Sequence, residues 1–227
     1  MRAKEIWELD KVCSLPAETL QNLDRQSIQG MASLHRSAFP GSLLSRLGSG
    51  VVSRYYVWQL EGPHDIDAAG IFRDGELSAF CIGGVFRGAM SGFIRKNLTV
   101  LACAVLRHPE VWLSVRSRGR LFRGLQLAAQ QLAKPKSRGI ENKPRKNSYG
   151  ILVIATAPDF RRRGYGRCLM ELMEKKAREK GFERMHLTVD PGNQEAVGFY
   201  EKLGWEKDGA VVSWEGRMIK NLAGGAG

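Results

Sequence analysis

Ten residues between Pro158 and Arg167, reading PDFRRRGYGR, hold the densest chemistry in the 227-residue chain. Taken as Arg161-x-x-Gly164-x-Gly166, they form a glycine-punctuated turn placed to open a helix. The chemistry this composition supports is anion binding. Glycines at 164 and 166 remove side chains, so backbone N–H groups can approach phosphate oxygens. The helix that follows presents its positive dipole end, worth about half an elementary charge. Arg162, Arg163 and Arg167 add cationic donors suited to a pyrophosphate. The spacing is wrong for a dinucleotide fold, which wants GxGxxG and an acidic residue about 20 positions on, and no Gly-Lys-Ser/Thr follows to make a P-loop. A plain basic surface turn has the same composition, so the reading depends on the elements around it.

Those elements alternate regularly. Tyr149–Ala157 (YGILVIATA) has the length and β-branched content of a buried strand. Gly166–Lys180 sets Leu169, Leu172, Met173 and Ala177 on one helical face and stops at Gly181. Met185–Val189 is a predicted strand. Asn193 is placed to cap a helix through Leu203 in which Ala196, Phe199, Tyr200 and Leu203 fall at i, i+3, i+4 and i+7. Trp205–Lys207 and Ala210–Lys220 are the closing strands. Upstream, Ser27–Leu34 has helical spacing and runs into a stop at Phe39-Pro40-Gly41, and Ser42–Leu60 predicts a second helix. Asp74-Gly75, between Ile71-Phe72 and Leu77–Phe86, is a hairpin signal. The order is that of an α/β or α+β sheet domain.

The formal charge of +12 is concentrated in one place. Residues 87–146 carry 14 basic and two acidic side chains, while the rest of the chain balances at 21 of each. Within this stretch Phe93–Leu106, Pro109–Val115 and Leu121–Leu132 are predicted helices, and Lys134–Ser148 a loop. Such a segment is either a solvated face or a surface for something anionic: a phosphate-bearing substrate, nucleic acid or membrane. Cys13, Cys81, Cys103 and Cys168 show no CxxC spacing, which predicts reduced thiols and no metal. The N-terminal residues lack an apolar core of signal type, and no run approaches the roughly 20 apolar residues of a spanning helix. A cytoplasmic location is the expectation.

From Tyr149 to Lys207 the chain resembles the GNAT superfamily of acetyl-CoA-dependent N-acetyltransferases, in ILVIATAPDFRRRGYGRCLM, in MHLTVDPGN and in QEAVGFYEKLGW. The closing phrase is most similar to the ribosomal-protein N-terminal acetyltransferases. The resemblance implies a mixed, mostly antiparallel twisted sheet flanked by helices, with a basic helical insertion between the third and fourth strands. It implies one domain over 1–227: a leading segment at 1–25, the insertion at 87–147 and an acetyl-CoA-binding core at 148–220. By the same resemblance Ile154, Ala155 and Thr156 pair with the pantetheine arm. Arg162, Arg163, Gly164, Tyr165, Gly166 and Arg167 hold the pyrophosphate, Asn193 holds the pantetheine, and Tyr200 is the general acid that protonates the departing CoA thiolate.

The chain departs from its relatives at the general base. The N-terminal acetyltransferases carry a Glu where Thr188 stands, and histone-type members carry one where Gly150 stands. His186 and Asp190, which share a strand face with Thr188 by period-2 alternation, and His35 are the substitutes available. An enzyme without a strong base suits a weakly basic amine. The acceptor, neutral or anionic overall, is then an amino sugar on a phosphate carrier or a peptide α-amine. The alternative is a non-catalytic acyl-CoA sensor whose basic insertion binds membrane or nucleic acid.

Overall fold

A computed structural model describes residues 19–108, 148–209 and 214–222 of the chain. The predicted helices Pro109–Val115 and Leu121–Leu132, the loop before Ser148 and most of the leading segment lie outside the described residues. Two compact units interleave along the sequence, one built from Met1–Leu23, Asp65–Val85 and Lys143–Gly227, the other from Asp24–His64 and Phe86–Asn142.

Among the described residues, the first unit is a sheet with two α-helices. Its strands are β1 (Thr19–Asn22), β2 (Asp65–Arg73), β3 (Glu76–Val85), β4 (Ser148–Thr156), β5 (Arg184–Thr188), β6 (Glu206–Lys207) and β7 (Arg217–Asn221). Their order across the sheet is β1-β2-β3-β4-β5-β7-β6. Every neighbouring pair is antiparallel except β4–β5, which is parallel. This is the mixed, mostly antiparallel sheet that the family resemblance implied. The β2–β3 hairpin turns on Asp74 and Gly75, both at positive φ (52° and 80°), the mirror-image turn whose twist matches the strands. β2 begins at Asp65, six residues before the predicted strand, because its first half (DIDAAG) is too small and polar to read as one.

Helix α6 (Tyr165–Glu179) buries Tyr165, Cys168, Leu169, Met170, Leu172, Met173 and Ala177. These side chains join Cys81, Tyr149, Met185, Leu187, Tyr200 and Met218 in one apolar cluster. α7 (Gln194–Lys202) adds Val197 and Tyr200 as its buried residues. The charges at the rim are paired. Lys180 Nζ reaches Asp65 at 3.0 Å and Asp67 at 2.8 Å, and Tyr149 Oη donates to Asp67 at 2.9 Å.

The second unit is helical: α1 (Ile28–Ala38), α2 (Leu43–Arg46), α3 (Ser49–Glu61), α4 (Ser91–Lys96) and α5 (Leu98–Arg107). The predicted single helix over Ser42–Leu60 is two, because Gly48 takes φ 97° between them. Phe93–Leu106 likewise breaks at Asn97, whose amide donates to the Phe93 carbonyl at 3.0 Å. At the centre His35 is enclosed, with Nδ1 2.7 Å from Tyr56 Oη and Nε2 3.2 Å from Ser42 Oγ.

Cys81 and Cys103 are free thiols, but Cys168 is disulfide-bonded, which corrects the expectation of reduced thiols throughout. Sequence spacing says nothing about which sulfurs the fold brings together. Among the described residues no helix is long and apolar enough to cross a membrane.

Candidate active site

β4 is where the sheet opens. It pairs with β5 over three residues only, Ser148↔Arg184, Tyr149↔Met185 and Gly150↔His186. Beyond that point β4 continues to Thr156 and β5 to Thr188 without further pairing. From Ile151 onward the β5-side edge of β4 therefore carries backbone N–H and C=O groups with no strand beside them. Such groups can accept an extended ligand as an added strand. Ile154, Ala155 and Thr156 lie on this stretch, held from the other side by Cys81, Phe80 and Ala79 of β3. The β3–β4 register slips between Ile82 and Gly83, leaving Leu152 as an extra residue on β4. A bulge of this kind bends the strand and re-aims its amides.

The arginine-rich turn follows at the end of the same strand. Pro158–Phe160 is a short 3-10 turn, and α6 starts behind Gly164, its N-cap, at φ 87°. No side chain caps that helix end, so its first-turn N–H groups remain for another acceptor. A Cβ on Gly164 would meet nothing within 4 Å, which leaves open space over the N-terminus. Arg162 is held at φ 59°, one of two non-glycine residues at positive φ among the described residues. The other is the hairpin residue Asp74.

The other arginines are not equivalent. Arg163 lies over the Phe160 ring at 5.2 Å, while Arg167 Nε is tied to Glu171 at 2.8 Å. Tyr165, expected in the pyrophosphate loop, has its ring 2% exposed in the core and stacked with Phe160 at 6.0 Å. It can serve the loop only through its backbone N–H. Phe160 went unnoticed in the sequence, where a single aromatic in a polar turn carries no signal.

The positive φ at Arg162 yields a test. Left-handed backbone costs a non-glycine residue roughly 1–2 kcal/mol. Arg162→Gly is thus expected to leave the melting temperature unchanged or raised while weakening acetyl-CoA binding. Calorimetric melting and titration check the two together, and a destabilised variant with intact binding would contradict it.

Asn193 stands at the N-cap of α7, where its Oδ1 accepts from the Ala196 N–H at 3.1 Å. Its amide nitrogen makes no hydrogen bond among the described residues. Tyr200 is 8% exposed, its ring set against Phe199 (5.2 Å) and Trp205 (6.1 Å). Its hydroxyl makes no hydrogen bond among the described residues. Burial pushes the phenol well above its ordinary range, with the Cys81 thiol adding to the effect, so it stays protonated.

The three candidate bases separate cleanly. His35 has both ring nitrogens engaged, and burial pulls its pKa from 6.5 to about 4. Asp190 lies past the end of β5, not on the strand face expected of it, and its carboxylate accepts from the Gly192 N–H at 3.0 Å within a turn. The turn residues Pro191 and Gly192 follow it, which is why alternation fails there. His186 is in β5, across from Gly150, with Nδ1 2.8 Å from Ser148 Oγ. The Ser148 contact was not legible, since two residues 38 positions apart meet only through strand pairing.

The acetyltransferase (GNAT) family model matches residues 49–205, and the chain belongs to that family. An uncharacterised N-acetyltransferase of Methanocaldococcus jannaschii is 34% identical over 83 residues, 37% of this chain and 36% of the relative. An acetyltransferase of Pectobacterium atrosepticum is 43% identical over 53 residues, 23% of this chain and 38% of the relative. The chain thus spans under two-fifths of either of these relatives. The fold matches the PaiA N-acetyltransferase of Thermoplasma acidophilum, solved with coenzyme A, at TM-score 0.54 and 14% identity over 90% of this chain and 98% of that one. It also matches the ribosomal-protein-S18-alanine N-acetyltransferase of Escherichia coli at TM-score 0.50 and 15% identity, covering 89% and 90%.

Proposed function

We propose that the chain is an N-acetyltransferase that moves the acetyl group of acetyl-CoA directly to a weakly basic primary amine. The observation that carries this is the parting of β4 from β5 after Gly150, with the uncapped start of α6 at the far end of the freed strand. An extended pantetheine arm fits the strand edge at Ile154, Ala155 and Thr156. A pyrophosphate fits the amides from Gly164 to Arg167, with Arg162 and Arg163 beside it.

Acetyl-CoA supplies the activated acyl group. The chain's own part is to hold it and handle protons. The strand edge and the Asn193 amide orient the arm, which turns a bimolecular encounter into a positioned one. Backbone N–H groups freed near the bulge can bind the oxyanion that develops at the carbonyl. Tyr200, with its phenol protonated, donates to the sulfur as the C–S bond breaks.

The acceptor follows from proton availability. An α-amine near pKa 7.7–8 is roughly 10% neutral at pH 7, against about 0.04% for a lysine side chain near 10.4. An amino sugar on a phosphate carrier is favoured over a peptide α-amine on the strength of the basic segment 87–146, which would attract phosphate and repel polyamines. The test is thermal melting with and without acetyl-CoA, followed by CoA-thiol release over a panel of phosphorylated amino sugars, α-amino peptides and lysine peptides. Stabilisation together with thiol release from one class supports the reading. Stabilisation without release on any amine shifts it to an acyl-CoA sensor, and no stabilisation defeats it.

A further inference from the structure

The slot beside Gly150 is filled by an imidazole. A Cβ built on Gly150 would lie 3.0 Å from His186 Nε2 and 3.1 Å from its Cε1. The same point is 3.4 Å from the Gly84 carbonyl oxygen. Gly84 pairs with Gly150 across β3–β4, so two neighbouring strands present no side chain there. Tyr149, Met185 and Leu187 turn into the apolar cluster beneath α6, so by alternation Gly150 and His186 face the opposite side of the sheet. Gly150↔His186 is also the last register before β4 and β5 part. The ring therefore stands at the apex of the opening into which the freed edge of β4 leads.

We propose that His186 is the general base of the transfer, using Nε2, and that Ser148 is the positioning residue that holds its ring through Nδ1. The proposal rests on the acetyltransferase reading above. Ser148 is 5% exposed, and its Oγ is the partner of Nδ1. With Nδ1–H donating to that oxygen, Nε2 keeps its lone pair and makes no protein hydrogen bond among the described residues. Here the glycine makes room for an imidazole arriving from the next strand.

The protons balance as follows. A primary ammonium loses two protons on becoming an amide nitrogen. One passes to His186 Nε2 and on to solvent. The other restores the proton that Tyr200 gives to the CoA sulfur, as the C–N bond forms and the C–S bond breaks. The charged and polar groups sharing the face of His186 are Arg184 and Thr188 on β5, Arg217 and Asn221 on β7 and Glu206 on β6. Burial pulls the imidazole below 6.5, Arg217 adds to this and Asp208 opposes it. The ring is thus neutral at pH 7, which matches an amine of pKa near 8 better than a lysine.

The first arm of the test is 15N NMR of the full chain, with the His186 signals assigned by difference from His186→Gln. A lone pair on Nε2 and a proton on Nδ1 are expected at pH 7.5, shifting toward Nε2–H in Ser148→Ala. A protonated Nε2 in the wild type overturns the proposal. The second arm uses acetyl-CoA with two acceptors, glucosamine 1-phosphate and a short peptide with a free N-terminal alanine. His186→Gln is expected to lower kcat/KM about 10²–10⁴-fold for whichever of the two the wild type acetylates, with the acetyl-CoA KM unchanged and the deficit shrinking as rising pH frees the amine. Gly150→Ala, whose methyl would press on the imidazole tip, is expected to share the defect.

Equal rates in His186→Gln and wild type overturn the proposal while acetyl-CoA binding persists. Acetylation of neither acceptor by the wild type overturns it. Loss of acetyl-CoA stabilisation in the wild type defeats the acetyltransferase reading itself, and so is a separate outcome.

Discussion

Tyr200→Phe is expected to lower turnover about 10²–10⁴-fold, the usual worth of a positioned proton donor, while the protein melts within a few degrees of the wild type. The two halves of that expectation come from different observations. Tyr200 contributes to the fold through its ring, packed against Phe199 and Trp205, and phenylalanine keeps that ring. Its hydroxyl makes no hydrogen bond among the described residues, so removing it orphans no partner.

Burial holds the phenol protonated, the state in which it can hydrogen-bond a sulfur as negative charge develops on it. Thermal melting with acetyl-CoA and thiol-release assays on the same preparation separate binding from turnover. A variant that turns over at the wild-type rate would leave Tyr200 a core aromatic and nothing more.

The elements that sequence reading located are those whose signals are local. Asp74-Gly75 announced its turn because only small or polar residues take two successive positive φ values cheaply, and the turn forms at those residues. α6 was legible in the spacing of Leu169, Leu172, Met173 and Ala177, all of them buried. Gly48 was different: one glycine inside an apolar pattern reads as tolerated, and nothing local reveals that it takes φ 97° and divides α2 from α3.

The same divide runs through the candidate site. Gly164 and the arginines were visible because a phosphate-binding turn is a run of neighbours in sequence. The fate of each arginine was not visible. The pairing of Arg167 with Glu171 is a local i, i+4 contact, but the placing of Arg163 over Phe160 depends on how the 3-10 turn folds back. Sequence comparison pointed to Gly150 and Thr188 as places where a carboxylate is missing. That His186 fills the first of these places depends on the parallel register of β4 and β5, a long-range pairing that no local pattern encodes. His35, an equal candidate by residue type, is separated from His186 because both of its ring nitrogens are engaged and burial pulls it to about 4.

Burial makes His35 the source of a large expected effect on stability. Its pKa is about 4 in the folded protein, lowered from 6.5 by burial. Between those values the unfolded chain binds a proton that the native state refuses, so the unfolding free energy falls as the pH falls. The loss begins near pH 6.5, approaches 1.4 kcal/mol per pH unit and totals about 3 kcal/mol once the pH is below 4. Above pH 6.5 the residue contributes no slope.

Two other histidines act in the same direction. Burial and Arg87 lower His64, and burial and Arg217 lower His186 against the opposing pull of Asp208. Glu174 acts at lower pH. Burial raises its carboxyl, but hydrogen bonds from Lys220 and Arg178 outweigh this and hold it below its ordinary value.

The share belonging to His35 is isolated by urea unfolding of wild type and His35→Gln at half-unit steps from pH 7.5 to 4. The variant loses the buried hydrogen bonds to Tyr56 and Ser42, so its stability is lower throughout, but the slope is the informative quantity. Between pH 4.5 and 6 the wild type is expected to lose stability more steeply by close to one proton's worth. Parallel slopes would mean that His35 takes up its proton as readily in the folded protein as in the unfolded chain, and that its burial carries no electrostatic cost.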